Sequence, residues 1–400
     1  MNQTRSVRSQ ALDLLRFPLA CVVVTIHVFA GCDFAIQGEE FDLSGYGVFM
    51  ALTAFAKAFL AAQSVPVYFF IAGYVFFLGI TLTKETYFRK MKNCFRSLFI
   101  PYVLWNVLGI VMVLFPFIPA LHSIFPGCDW HDLNISFRTI LSCFWNYAEP
   151  GTVGLIDRPI NAAQSTLPGD PATFPVDTAM WFVRDLMIVA ALTPAISWLL
   201  KKFGVMLPAI SGIIWFCTPN LGLGHVYQLI TALFFFSFGA YFSFHQFDMV
   251  EEFRKYRTTS YYVYVLSALY LLAYTYFSGN IKRVVMFGFA DSEMMFVKNI
   301  TIIAGLFFAY NLAVHLIEKY HIRPSKLLSS AAFFVYAAHL IVLEYVKKIV
   351  SLLFPPVSDF NAVMLYLLTD VVTCCGLLAL YIVMKRYTPK LLSPLIGGRL

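Results

Sequence analysis

Residues Ala11 to Ala30 read Ala-Leu-Asp-Leu-Leu-Arg-Phe-Pro-Leu-Ala-Cys-Val-Val-Val-Thr-Ile-His-Val-Phe-Ala. Arg5 and Arg8 precede this stretch and Gly31-Cys32 follows it, an arrangement open to reading as a cleaved secretory leader. Several side chains argue otherwise. Asp13, Arg16 and His27 are ionisable groups in or beside the apolar run, and Phe29 is a bulky residue three positions before Cys32, where processing favours a small one. The stretch is better read as a retained first transmembrane helix, about 12–31.

Composition extends this reading to the whole chain. Of 400 residues, 60% are hydrophobic, 13% are charged and 41 are Phe. Average soluble domains carry roughly 45–50% apolar and about 25% charged residues, so water-soluble folds are excluded. Disordered chains are poor in hydrophobes, and collagen-like or disulfide-scaffold chains need far more Gly or Cys than the 22 and 8 present. What remains is an all-α, polytopic transmembrane helix bundle. At about 20 residues per span, this length allows about ten spans.

Ten apolar runs of spanning length occur, near 12–31, 48–82, 97–118, 178–200, 204–219, 222–244, 260–278, 294–317, 329–353 and 362–384. The second is overlong and reads as an amphipathic lead-in carrying Lys57, followed by a true span after Pro66. Only Pro219-Asn220-Leu221 separates the fifth from the sixth, a tight turn signal.

With both termini placed in the cytoplasm, the expected inner segments hold nineteen of the 29 Lys and Arg residues. The outer segments hold only Arg138, Arg158, Lys282 and Arg283. This positive-inside asymmetry supports the ten-span count, because removing one span would invert every later loop. It also accounts for the net charge of +7, which reflects topology and contact with anionic lipid rather than nucleic acid.

The eight cysteines show no CxxC or Cys/His metal spacing, and no metal site is expected. Residues 119–177 form a long outer loop with six acids and seven prolines. Cys128 and Cys143 both lie in it, where a disulfide is possible. Phe137, Ile140, Leu141, Phe144 and Trp145 recur there at helical spacing, suggesting a short helix on the outer membrane surface. No repeat divides the chain, so residues 1–400 read as a single membrane domain.

Ionisable residues inside spans are costly and are the functional candidates. Arg16 and His27 are eleven residues apart, so at 100° per residue they fall within about 20° of one helical face and about 16 Å apart along the axis. One stripe then carries a fixed cation at the inner boundary and an imidazole in the outer half. Arg16 could instead pair with Asp13, one turn away, or snorkel to lipid. His27 could serve helix packing.

The Arg-X10-His spacing resembles the N-terminal signature of the acyltransferase-3 family of integral membrane acyltransferases. Further segments are similar to that family's motifs, in order. Val65-Pro66-Val67-Tyr68-Phe69-Phe70-Ile71-Ala72-Gly73-Tyr74 resembles its PxFFxISGF helix. Arg89 to Arg96, followed by Pro101-Tyr102, resembles its basic inner loop and PY helix start. Trp181-Phe182-Val183-Arg184-Asp185-Leu186 resembles WFLxxL, Phe235-Phe236-Ser237-Phe238-Gly239 resembles FFxxG, and Ser330 to His339 resembles SxxxYxxH. Ala72 stands where the family pattern has serine. The carboxylate-bearing WSLxxEExFY version of the mid-chain motif is absent, and Arg184 and Asp185 are its nearest substitutes. Membership of the subgroup acting on long-chain O-antigen is correspondingly disfavoured.

The resemblance implies an enzyme that moves an acyl group, acetyl in the first instance, from cytoplasmic acyl-CoA to a hydroxyl of a cell-envelope glycan or lipid-linked glycan. Acetyl-CoA would be a co-substrate rather than a bound cofactor, and the expected location is the bacterial inner membrane, with lipid as the other partner. On that reading His27 is the general base or an acyl-accepting nucleophile, with Asp185 as a second catalytic candidate. Arg16, Asp13, Arg89, Arg96, Tyr74, Trp181, Arg184, Tyr336 and His339 are candidates for contacting substrate or CoA. Arg184 and Asp185, as sequence neighbours on a helix, are expected to face different partners. Lys347 and Lys348 are explained by snorkelling, while the sequence offers no explanation for Lys298 and Asp370. A transporter or flippase of an amphiphilic substrate is the competing reading, since it too needs intramembrane charges.

Overall fold

The computed structural model describes residues 2–29, 31–36, 39–60, 63–118, 133, 135–145, 174–218, 226–277, 279–287 and 289–399. Helix α1 (Asn2–His27) opens the chain. A small antiparallel hairpin follows, β1 (Asp33–Ile36) with β2 (Glu39–Asp42), in which Phe34 stands opposite Phe41. Helices α2 (Gly47–Phe55), α3 (Ser64–Phe77), α4 (Lys84–Cys94) and α5 (Ile100–Leu114) come next. The short α6 (Phe137–Ser142) lies in the long loop, ahead of α7 (Trp181–Ala191), α8 (Thr193–Phe203) and α9 (Met206–Cys217). The second half comprises α10 (Tyr227–Phe244), α11 (Met249–Lys255), α12 (Arg257–Phe277), α13 (Ile281–Phe287), α14 (Ser292–Tyr320), α15 (Lys326–Ser351), α16 (Asp359–Tyr387) and α17 (Pro389–Leu395).

The all-α bundle is as expected, but the number of spans differs. Among the described residues, seven helices are long and apolar enough to cross a membrane, or eight when the bent pair of α7 and α8 counts as one. Three of the ten expected runs account for the difference. The run at 178–200 is bent by 60° where α7 meets α8. Pro194 in the first turn of α8 cannot donate to the helix before it, and the Thr193 hydroxyl donates to the Ala190 carbonyl at 2.7 Å instead. The run at 204–219 supplies only the twelve residues of α9. The run at 260–278 is helical as α12, but its tyrosines and polar first turn keep it outside the seven.

The overlong second run does not yield a separate span after Pro66: α2, a π-helical turn (Ala56–Leu60) bearing Lys57 and the 14-residue α3 together make one candidate span, Gly47–Phe77. Gln63 secures the break. Its amide donates to the Phe59 carbonyl at 3.0 Å and bonds the Tyr264 hydroxyl. The basic segment expected as a loop is helical. Thr83 and Thr86 form a capping box that starts α4, which continues through a π-helical turn (Phe95–Phe99) into α5.

Helices α3 and α10 cross in close contact. A β-carbon on Gly73 would lie 2.0 Å from the Phe236 carbonyl oxygen, and one on Gly239 would lie 2.0 Å from that of Phe70. Two motifs far apart in the sequence thus meet backbone to backbone through their glycines. Phe70 then packs among Phe238, Phe242 and Phe253 at centroid separations of 5.4, 6.0 and 5.6 Å. Large apolar side chains such as Val111, Ile213, Leu266 and Val383 remain exposed on helix exteriors, where lipid would cover them.

Tyrosine hydroxyls tie the helices together by donating to backbone carbonyls elsewhere in the chain. Tyr68 donates to Arg16, Tyr102 to Phe144 and Tyr336 to Ala179. Tyr366 reaches Thr25 and Tyr46 reaches Pro356, each at 3.0 Å.

Candidate active site

Helix α1 runs beside α14 and α15. Near the middle of the Val7–His27 stretch of α1, rather than at its boundary as expected, the Arg16 guanidinium pairs with Asp13 at 3.0 Å, and both side chains remain about two-fifths exposed. Nη1 of Arg16 also approaches the Ser329 hydroxyl on α15 at 3.5 Å, and Arg399 lies within electrostatic reach. The alternative of an Asp13–Arg16 pair is therefore realised, but the guanidinium keeps an open side. The Tyr68 hydroxyl from α3 holds the Arg16 carbonyl, just before Pro18 interrupts the helical hydrogen bonds.

At the other end of the stripe, His27 is the last residue of α1. Its ring lies 5.3 Å from that of His339 on α15, tilted by 43°. His339 is completely buried, and its Nδ1 lies 2.5 Å from the Tyr336 carbonyl. A carbonyl only accepts, so Nδ1 carries the hydrogen and Nε2 keeps its lone pair. That Nε2 is buried with no hydrogen-bond partner among the described residues. Tyr336 sits one turn earlier, 6.1 Å from the His339 ring, and is fixed through its hydroxyl to Ala179. His339 thus lies beside His27, with Tyr336 one turn away on the same helix.

The remaining sequence candidates make no recorded ring contact or hydrogen bond with this pair, although Asp185 lies within electrostatic reach of Tyr336. Arg184 and Asp185 do not face different partners as expected. Their side chains are 5% and 2% exposed and pair at 2.8 Å, because the long guanidinium stem of Arg184 folds back on its neighbour. Nη1 of Arg184 also donates to the Trp145 carbonyl at 3.0 Å, with the guanidinium 5.0 Å from that indole. The pair therefore anchors the turn after α6 to α7, and the structure records no contact from Asp185 to His27. Trp181 packs 6.3 Å from Phe69. Tyr74 lies under Arg8 at 5.6 Å. Arg89 and Arg96 are exposed, and Arg96 lines an open cavity of about 590 Å³ with Lys390 and Pro394. In the long loop, α6 forms where the apolar spacing places it. Cys143 is buried, but Cys128 lies outside the described residues, as does most of 119–177.

Residues 9–384, nearly the whole chain, match the family model described as an acyltransferase domain. The chain belongs to the acyltransferase-3 family. No curated protein and no solved structure matches it. As a family member the protein is a multi-pass membrane acyltransferase, and the Arg16–His27 stripe lies inside the matched segment.

Several residues around this stripe were not singled out from the sequence. Ser329 and Tyr68 adjoin recognised motifs, but nothing in a linear pattern says that they meet Arg16. Asp177 was one acid among six in the loop. It is 2% exposed, its N–H donates to Asn106 Oδ1 at 3.2 Å, and it lies within electrostatic reach of Tyr336. Lys347 corrects the snorkelling expectation. Its ammonium turns inward to the Val28 carbonyl at 3.2 Å, whereas Lys348 is exposed as expected.

Proposed function

We propose that this membrane acyltransferase takes an acetyl group from cytoplasmic acetyl-CoA and delivers it to a hydroxyl of a cell-envelope glycan, in the bacterial inner membrane. The observation that carries the reading is the pairing of the half-buried His27 with the fully buried His339, 5.3 Å between rings, on the helix stripe that begins at Arg16. About 16 Å separates Arg16 from His27 along the axis, comparable with the reach of an extended pantetheine arm.

On this reading Arg16, open on one side, holds a phosphate of CoA at the inner mouth, where a guanidinium pairs well with phosphate oxygens. His27 takes the proton of the acceptor hydroxyl as its oxygen attacks the thioester carbonyl. The tetrahedral intermediate collapses, the new ester forms, and the CoA thiolate leaves and recovers the proton from the imidazolium. His339 packs against His27 and, held through Nδ1 by the Tyr336 carbonyl, supports the ring. The Arg184–Asp185 pair is assigned to holding the loop.

His27→Ala should reduce transfer of labelled acetyl from acetyl-CoA in membranes by roughly 100- to 10,000-fold, with insertion retained. Undiminished transfer by the inserted variant would overturn the assignment of His27. Substrate flux without consumption of acetyl-CoA would instead indicate transport. An acetyl mass difference in envelope polysaccharide, with and without the protein, identifies the acceptor.

A further inference from the structure

Asp370 lies within α16, inside a candidate span, and is a carboxyl that the acyl-transfer chemistry leaves unused. Such a group is costly in a membrane unless it is hydrogen-bonded. Both of its oxygens have partners. Oδ2 lies 2.9 Å from the Thr25 hydroxyl of α1, and Oδ1 accepts from the Cys374 thiol at 3.9 Å. Thr25 is two residues before His27, the last residue of α1. Tyr366, one turn before Asp370 on the same face of α16, donates its hydroxyl to the Thr25 carbonyl at 3.0 Å. Helix α16 thus holds Thr25 by side chain and by main chain.

The end of α1 needs such a hold. The last carbonyls of a helix have no N–H partner within it, and that of Thr25 is among them. Pro18 also interrupts the helical hydrogen bonds between Arg16 and His27, so the first half of α1 does not by itself orient the second. Two residues along a helix turn through about 200°, which sets Thr25 against α16 while His27 meets His339 on α15. The imidazole is packed on one side and its helix is held from the other.

The hydroxyl geometry suits a carboxyl. Thr25 has one hydroxyl hydrogen and two neighbours in reach, Asp370 Oδ2 and the Cys21 carbonyl at 3.1 Å. A carbonyl only accepts. With Asp370 in its acid form, the carboxyl donates to Thr25 and Thr25 donates to Cys21, so one chain of bonds runs from α16 into the main chain of α1. Asparagine, with a donor and an acceptor on one short side chain, can make the same chain. Leucine cannot.

We propose that Asp370 is a positioning residue: through Thr25 it fixes the last turn of α1 and hence the placement of His27 against His339. Its effect on turnover rests on His27 as the acting base, but its effect on His27 can be read without any acyl donor.

The test compares the full-length parent with Asp370→Leu, Thr25→Val, their double variant and Asp370→Asn in lipid nanodiscs, with rates taken per folded protein. Asp370→Leu and Thr25→Val should each lower kcat for acetyl transfer roughly ten- to a hundredfold. KM for acetyl-CoA should not change, because Arg16 is at the far end of the stripe. The double variant should lose no more than either single one, since both remove the same link. Asp370→Asn should keep most of the parental rate. The second readout is modification of His27 by diethyl pyrocarbonate, followed by mass spectrometry of its peptide. That rate should change in Asp370→Leu and return to the parental value in Asp370→Asn. A parental rate of His27 modification in folded Asp370→Leu overturns the proposal, as does a parental kcat. Losses that multiply in the double variant also overturn it. So does an Asp370→Asn variant as impaired as Asp370→Leu, which would make charge the contribution of Asp370. If Asp370→Leu does not fold, Thr25→Val carries the same test. If the parent transfers no acetyl group but His27 modification follows the leucine and asparagine pattern, the positioning role stands and the acyltransferase assignment of His27 fails.

Discussion

Asp177 illustrates what a single buried group contributes. Burial pushes its carboxyl well above the usual carboxylate range, with the Ala179 N–H acting the other way. A carboxyl raised on folding stays protonated where the unfolded chain has already ionised, so stability falls as pH rises from the ordinary carboxylate range through the raised value. Asp177→Asn should therefore match the parent in acid and exceed it at neutral pH by roughly 1–3 kcal/mol, read from paired unfolding curves. A constant difference across pH would show that Asp177 does not titrate in this range. At this scale the sequence was informative where spacing alone decides geometry. Arg16 and His27 share a face because eleven residues make almost three turns. The meeting of His27 with His339, and of Lys347 with Val28, depends on which helices are neighbours, and periodicity within one helix carries no such information.

At the level of elements, the α3–α10 crossing is set by two glycines. Gly73→Ala or Gly239→Ala would place a methyl inside a backbone carbonyl's radius, forcing the helices apart. Each should cost about 1–3 kcal/mol or more, measured as a lowered unfolding temperature in detergent. Gly376→Ala is the control, because no atom lies within 4 Å of the added carbon and helix propensity then favours alanine. Equal effects at all three positions would show that propensity, not contact, dominates. Both motif segments were visible in the sequence. The bend before Thr193 was not read, although Pro194 signals it, because uninterrupted hydropathy across 178–200 masked the proline. The hairpin of β1 and β2 carries only four residues per strand, too short for an alternating pattern to stand out.

For the whole molecule, charge distribution is the widest-ranging signal. Nineteen cations assigned inside and four outside predict that Lys92→Cys reacts with a membrane-impermeant maleimide only after membranes are opened. Phe137→Cys, at a position 78% exposed in the outer loop, should react on intact cells. The parent protein gives the background from its native thiols, of which Cys217 and Cys375 are exposed. The reverse pattern would invert the orientation. Class and helical content followed directly from composition. The exact spans did not, because hydropathy ranks segments without knowing which ones bend or stop short.

The tyrosine cross-links bear on how such a bundle can drift over evolutionary time. A hydroxyl that grips a main-chain oxygen does not depend on the side chain at that position. Arg16, Phe144, Ala179, Thr25 and Pro356 present that same acceptor whatever side chain they bear. Partner positions can therefore mutate without loosening the architecture, provided the tyrosines persist. Correlated substitution between such positions would accordingly be faint, and these ties would escape any reconstruction of the fold from paired sequence changes. Their trace would be solitary invariant tyrosines with no matching residue.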